Sequence, residues 1–80
     1  MRVAIEMPRL SPEMKAGSIV SWTKEVGAEV GAGDVIAEIE TEKITVQMEA
    51  PVSGTLVEIV HSAGEEVPIG EAIGYVEDGR

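Results

Sequence analysis

Among the side chains of this sequence that could do chemistry, Lys43 holds a place the others do not share. It stands in Glu40-Thr41-Glu42-Lys43-Ile44, in the join between two copies of one sequence pattern. The alternatives fall away on residue type. There is no cysteine, so thiolate ligands, thiol nucleophiles and disulfides are absent together. His61 is the only histidine, and Ser11, Ser18, Ser21, Ser53 and Ser62 lack the base and acid partners that a hydroxyl nucleophile needs. Asp34 and Asp78 are far apart with no ligand spacing, and the many glutamates read as a solvated face, not a metal site. What remains is an amine. In water an amine is protonated, and general-base or Schiff-base work would require desolvating it. A turn lysine far from any pocket, as Lys43 reads here, is a poor catalyst but an accessible target for a modifying enzyme. Taken by itself, such a lysine more commonly only solubilises its turn.

The elements that must position Lys43 are repeated. Residues 17–40 and 54–77 align without gaps at an offset of 37 (Gly17 to Gly54). They match at Gly17/Gly54, Val20/Val57, Gly27/Gly64, Glu29/Glu66, Val30/Val67, Gly33/Gly70, Ile36/Ile73 and Glu40/Glu77. A fixed period marks a repeated structural unit, and two copies are too few for a solenoid. The expectation is one domain over residues 1–80 with internal two-fold pseudosymmetry. Ile5-Glu6-Met7-Pro8 resembles Met48-Glu49-Ala50-Pro51, which extends the symmetry beyond the gapless copies. Between proline and glycine, however, the first half has eight residues, Arg9 to Ala16, and the second only Val52-Ser53. The strands before and after the Thr41–Lys43 turn belong with the repeat units that this loop interrupts, so the pseudosymmetry places the loop near the turn. An insertion into a symmetric scaffold is a candidate recognition element, or an idle surface loop.

The local pattern is of short strands. Val3, Ile5 and Met7 alternate with polar or small residues up to Pro8; Ser18–Thr23, Val35–Glu40, Leu56–Val60 and Ala72–Val76 are further strands, with short ones around Val30 and Val67. Thr41–Lys43 is a turn, and Ile44–Ala50 a strand carrying Ile44, Val46 and Met48 on one face. Glycines recur too often for a helix. About eight strands in two equivalent halves predict an all-β flattened barrel or sandwich of two four-stranded antiparallel sheets, closed so that few edges stay exposed. Trp22, aligned with Ile59, is expected in the core, and His61, aligned with Lys24, on a solvated strand face.

Composition bounds the partners. Six basic residues against fifteen acidic ones, a net charge of −9, argue against nucleic acid, which needs clustered Lys and Arg. The acidity serves solubility, or steers the chain to a basic partner surface. With neither an apolar signal-peptide core nor a run long enough to span a bilayer, the expectation is a soluble intracellular module, cytoplasmic or, in a eukaryote, of the mitochondrial matrix, with no membrane partner.

Glu40-Thr41-Glu42-Lys43-Ile44 resembles the lipoyl-lysine hairpin of lipoyl domains in the acyltransferase (E2) component of 2-oxo acid dehydrogenase complexes. The resemblance covers essentially the whole chain. In that family a glutamate lies three residues before the modified lysine, a glycine sixteen before and another eleven after; here these are Glu40, Gly27 and Gly54. Ile19-Val20-Ser21-Trp22 with Lys24, Gly27 and Val30 is similar to the family's second and third strands, and Glu49-Ala50-Pro51 with Gly54 to its segment after the hairpin. Met7-Pro8-Arg9-Leu10-Ser11-Pro12-Glu13-Met14 is similar to its opening strand and loop, in a form common among pyruvate-type enzymes. Glu42 stands where aspartate is usual, and Ala28 where an aspartate often follows the glycine, which bears on partner preference.

The resemblance implies a non-catalytic carrier with lipoate in amide linkage on Lys43. A lipoate ligase or lipoyl transferase would read Glu40, Glu42, Gly27 and Gly54. The arm would serve the first enzyme of the complex (E1), the acyltransferase core and the flavoprotein dihydrolipoamide dehydrogenase (E3). Recognition by E1 would fall to Arg9, Leu10, Ser11, Pro12, Glu13 and Met14, and the isolated domain would be monomeric. The rival readings are a biotinyl domain, whose family flanks its lysine with methionines where this chain has Glu42 and Ile44, the longer glycine-cleavage carrier, and a non-carrier interaction module.

Overall fold

Alternating aliphatic residues become eight strands in the computed structural model, which describes residues 1–79. They are β1 (Arg2–Glu6), β2 (Ala16–Trp22), β3 (Glu29–Val30), β4 (Val35–Glu40), β5 (Thr45–Glu49), β6 (Gly54–Ile59), β7 (Glu66–Pro68) and β8 (Ala72–Glu77). Two four-stranded antiparallel sheets form, in the orders β1-β8-β6-β3 and β5-β4-β2-β7. Exchanging the first four strands for the last four converts one order into the other.

The symmetry holds to the single register. Ser18↔Glu40 and Ile19↔Ile39 between β2 and β4 reappear as Thr55↔Glu77 and Leu56↔Val76 between β6 and β8, and both pairs carry a bulge after the second position. Gly27 donates its N–H to Leu56 C=O at 2.7 Å, and Gly64 to Ile19 C=O at 2.7 Å. Both glycines have positive φ, +99° and +93°, a conformation that costs other residues roughly 1–2 kcal/mol. The matched glycines of the sequence are therefore matched turns.

Between the sheets lies an aliphatic core in which Ile5, Ile19, Ile36, Ile39, Leu56, Val67, Ile73 and Val76 are almost wholly buried. Each such side chain contributes about 1.5–3 kcal/mol by leaving water, and among the described residues no polar or charged one is buried with them. Trp22 packs only partly against this core and donates its indole N–H to His61 C=O at 2.8 Å, as an indole at a core margin does. Ile44 departs from expectation. β5 begins at Thr45, so Ile44 belongs to the turn and is 50% exposed. His61 also lies past the end of β6 instead of on its face. No helix among the described residues is long and apolar enough to cross a membrane.

The protein measures 36 × 19 × 19 Å, and β1 lies at the edge of the first sheet, beside β8. At its start the Met1 amino group donates to the carboxylates of Glu77 and Asp78. At its finish lies Met7, whose sulfur would sit 2.8 Å from a Cβ on Gly17, in a site shared with Ile39 of β4. The pseudosymmetry pairs Glu40, which leads into the Lys43 turn, with Glu77, the partner of Met1 on the other sheet.

Candidate functional site

The turn of residues 41–44 is organised by Thr41. Its backbone N–H donates to Ile44 C=O at 2.8 Å, and its hydroxyl oxygen accepts the N–H of Ile44 at 3.2 Å and that of Lys43 at 3.4 Å. A short polar side chain that binds the backbone three residues on fixes a turn locally. Glu42 and Lys43 are thereby pushed outward and are exposed, as is Glu40 at the end of β4. Among the described residues Lys43 enters no ion pair, so its amine is sterically and electrostatically accessible. Amide formation needs such an approachable amine, which gives up its protons as the bond to the acyl carbon forms.

Lys43 was expected far from any pocket, and here the structure differs. The turn forms one wall of an open cleft of about 960 Å³, lined by Glu40, Glu42, Lys43 and Ile44 on one side. Leu10, Ser11, Glu13, Met14 and Lys15 line the other, with Ser18 of β2 and Glu66 of β7. The cause is the insertion. The loop's eight residues need room that two would not, and they lie beside the turn, as the pseudosymmetry led one to expect.

The inserted loop is self-organised. Arg9 donates a guanidinium N–H to Pro12 C=O at 3.0 Å, Met14 N–H donates to Ser11 C=O at 3.2 Å, and Met14 is buried in the core. Of the six loop residues singled out in the sequence, Met14 therefore anchors the loop, while Leu10, Pro12 and Glu13 face solvent. Gly27 and Gly54 do not line the cleft. Gly27 makes the positive-φ turn described above, and a Cβ on Gly54 would fall 2.0 Å from the carbonyl oxygen of Glu77. Both positions are explained by backbone geometry.

A second polar group escaped the sequence reading. The His61 ring lies between two carboxylates, Nδ1 at 2.9 Å from Glu65 Oε1 and Nε2 at 2.6 Å from Glu71 Oε2. Glu65 also accepts the Ser62 N–H at 2.7 Å and the Ser62 hydroxyl at 2.9 Å. Contact with His61, then the two Ser62 donors, pulls the Glu65 carboxyl down to about 2, and Glu65 first, with Glu71, raises His61 above its ordinary value. The His-x-x-x-Glu spacing from His61 to Glu65 stands in the sequence; the approach of Glu71, ten residues on, does not.

Comparison with known proteins follows this geometry. The Biotin_lipoyl family model, described as "Biotin-requiring enzyme", matches residues 3–76. The chain belongs to this family, among the lipoyl domains of E2 acyltransferases. The lipoyl domain is 47% identical over 78 residues to the dihydrolipoyllysine-residue acetyltransferase component of the acetoin cleaving system of Bacillus subtilis, covering 98% of this chain and 20% of that protein. It is 48% identical over 66 residues to the dihydrolipoyllysine-residue acetyltransferase component of the pyruvate dehydrogenase complex of Rhizobium meliloti, covering 82% and 15%. The chain thus spans a fifth or less of these relatives. Among solved structures, the lipoyl domain of the 2-oxoglutarate dehydrogenase complex of Azotobacter vinelandii superposes with a TM-score of 0.75 at 29% identity, over 96% of this chain and 100% of that one. Lipoyl domains carry covalently attached lipoate, and the two-sheet fold of this chain is theirs.

Proposed function

We propose that Lys43 is the lipoylated residue and acts as a swinging arm in a 2-oxo acid dehydrogenase complex, of pyruvate type by the form of its opening loop. The observation that carries this reading is the isolated amine of Lys43 at the tip of a turn braced by Thr41. Bound there, the lipoyl group supplies a dithiolane that accepts an acyl group together with two electrons. The chain's own part is to hold the attachment point rigidly in water and to present the surface around it.

The partners that follow are E1, which acylates the arm, the E2 core, which receives the acyl group, and dihydrolipoamide dehydrogenase, which reoxidises it. Tethering keeps the arm at high effective concentration near each of them. A lipoate ligase or lipoyl transferase would install the group, reading the turn with Glu40 and Glu42. Leu10, Ser11, Pro12 and Glu13, across the cleft from Lys43, supply the surface E1 would recognise, with Arg9 and Met14 holding it in shape. The domain itself catalyses nothing and is monomeric in isolation.

Incubation with lipoate ligase, lipoate and ATP, followed by peptide mapping, tests the assignment. One adduct is expected, on Lys43, and none in Lys43→Ala. An adduct on Lys15 or Lys24, an unchanged yield in Lys43→Ala, or faster modification of the wild type by a biotin ligase would overturn it.

A further inference from the structure

Glu65 and Glu71 flank β7 (Glu66–Pro68), and the ring of His61 contacts both. One side chain thus grips an edge strand at its two ends. β7 pairs only with β2, through Ala16↔Pro68, Gly17↔Val67 and Ser18↔Glu66, and its Glu66 lines the Lys43 cleft. The strand is three residues long, so its place depends on the segments at its ends. There Gly64 donates to Ile19 C=O at 2.7 Å, Ile69 to Lys15 C=O at 3.0 Å and Gly70 to Met7 C=O at 2.9 Å.

The grip depends on protonation by simple counting. A neutral imidazole has one N–H and one lone pair, whereas an ionised carboxylate only accepts. Two carboxylates can both be satisfied only if both ring nitrogens carry protons. No other charged group among the described residues acts on the ring. β2 contributes the neutral Trp22 indole, bound to the His61 carbonyl, and β8 the Ile73 carbonyl, which accepts the His61 N–H at 3.3 Å.

The pseudosymmetry supplies an internal comparison. Lys24, Ala28 and Asp34 occupy the positions of His61, Glu65 and Glu71 in the first half, and there Asp34 accepts the Gly31 N–H at 2.7 Å instead. β3, the equivalent of β7, therefore has no such grip. The halves differ here on the strand that reaches the Lys43 cleft.

We propose that His61, as an imidazolium, clips the two ends of β7 and holds that wall of the Lys43 cleft in place, releasing it when the ring loses a proton. The device belongs to the folded chain and operates whether or not Lys43 is modified. Its raised titration, caused first by Glu65 and also by Glu71, agrees with this geometry.

Nitrogen NMR of the His61 ring, with amide hydrogen exchange corrected for intrinsic rate, provides the test. Both ring nitrogens should be protonated below the midpoint, and the midpoint should exceed the ordinary value of 6.5. As pH rises through it, protection of the Gly64, Ile69 and Gly70 amides should fall several-fold, while Gly27 and Gly33, their counterparts in the other half, stay unchanged. Glu71→Gln should lower the midpoint and move the loss of protection with it. His61→Gln should show the reduced protection at every pH without a step, with Gly27 protection certifying the fold. An ordinary His61 midpoint, or protection at Gly64–Gly70 that tracks Gly27 and Gly33 across the titration, would overturn the clip.

Discussion

Two residues set the outcome at the scale of side chains. Lys43 is accessible because Thr41 closes the turn, so the direction of the lysine is a property of the turn's hydrogen bonds. Adjacent positions of such a turn point differently, and moving the lysine by one residue should matter even where composition is unchanged. The double substitution Glu42→Lys, Lys43→Glu is expected to keep the fold, since both residues are exposed, and to cut lipoylation by about tenfold or more, a change of roughly 1.4 kcal/mol in the modifying enzyme's discrimination. Equal labelling of the shifted lysine, read by mass spectrometry beside the wild type, would show that geometry is not being sensed.

Scale matters differently for the elements, where the insertion and the paired glycines carry the argument. Met14 is buried, so trimming the loop to two residues would remove a core contact as well as a surface. The cleaner variant replaces Leu10 and Glu13 with serine and keeps Arg9 and Met14. Stability and lipoylation should then stay within about 0.5 kcal/mol of wild type, while reductive acylation by the cognate decarboxylase falls roughly tenfold, as for one lost anchor contact. Undiminished acylation would move recognition to Glu40 and Glu42. Gly17 and Gly54 offer a second comparison between equivalent positions. A Cβ on Gly54 meets the Glu77 backbone, whereas one on Gly17 meets first the flexible side chain of Met7. Gly54→Ala should therefore cost about 2 kcal/mol or more, and Gly17→Ala about 1 kcal/mol or less. Urea midpoints at constant m measure both, and equal costs would mean that the backbone contact relaxes easily.

Across the whole molecule, pH dependence follows from the single histidine and its partners. Glu65 is lowered from 4.5 to about 2, so its contribution is complete above 4.5 and is lost as pH falls toward 2. His61 is raised, so its contribution is complete below 6.5 and is lost as pH rises through its folded value. The difference in Tm between wild type and His61→Gln should be largest between pH 4.5 and 6.5 and shrink on both sides. Because these groups are exposed, the maximum should be a few degrees at most. A difference that is flat with pH in calorimetry would assign the histidine a packing role only.

The repeat, the division into two equivalent four-stranded sheets, and the singular place of Lys43 were all legible in the sequence. Period-2 alternation and the spacing of glycines are local consequences of side-chain geometry, and the gapless offset transmits them to the whole fold. Ile44 was misplaced because one residue at a strand end cannot be assigned by alternation once Thr41 draws it into a turn. Trp22 was read as core because it aligns with Ile59, yet its indole N–H needed an acceptor, and His61 C=O lies at the core margin. The nearness of the insertion to the Lys43 turn was legible as well, because pseudosymmetry sets the loop after β1 beside that turn. Only the tertiary structure decided that the two enclose a cleft and that Glu71 reaches His61. Both depend on contacts between segments that the packing of the two sheets brings together, and nothing in the spacing of residues along the chain encodes that distance.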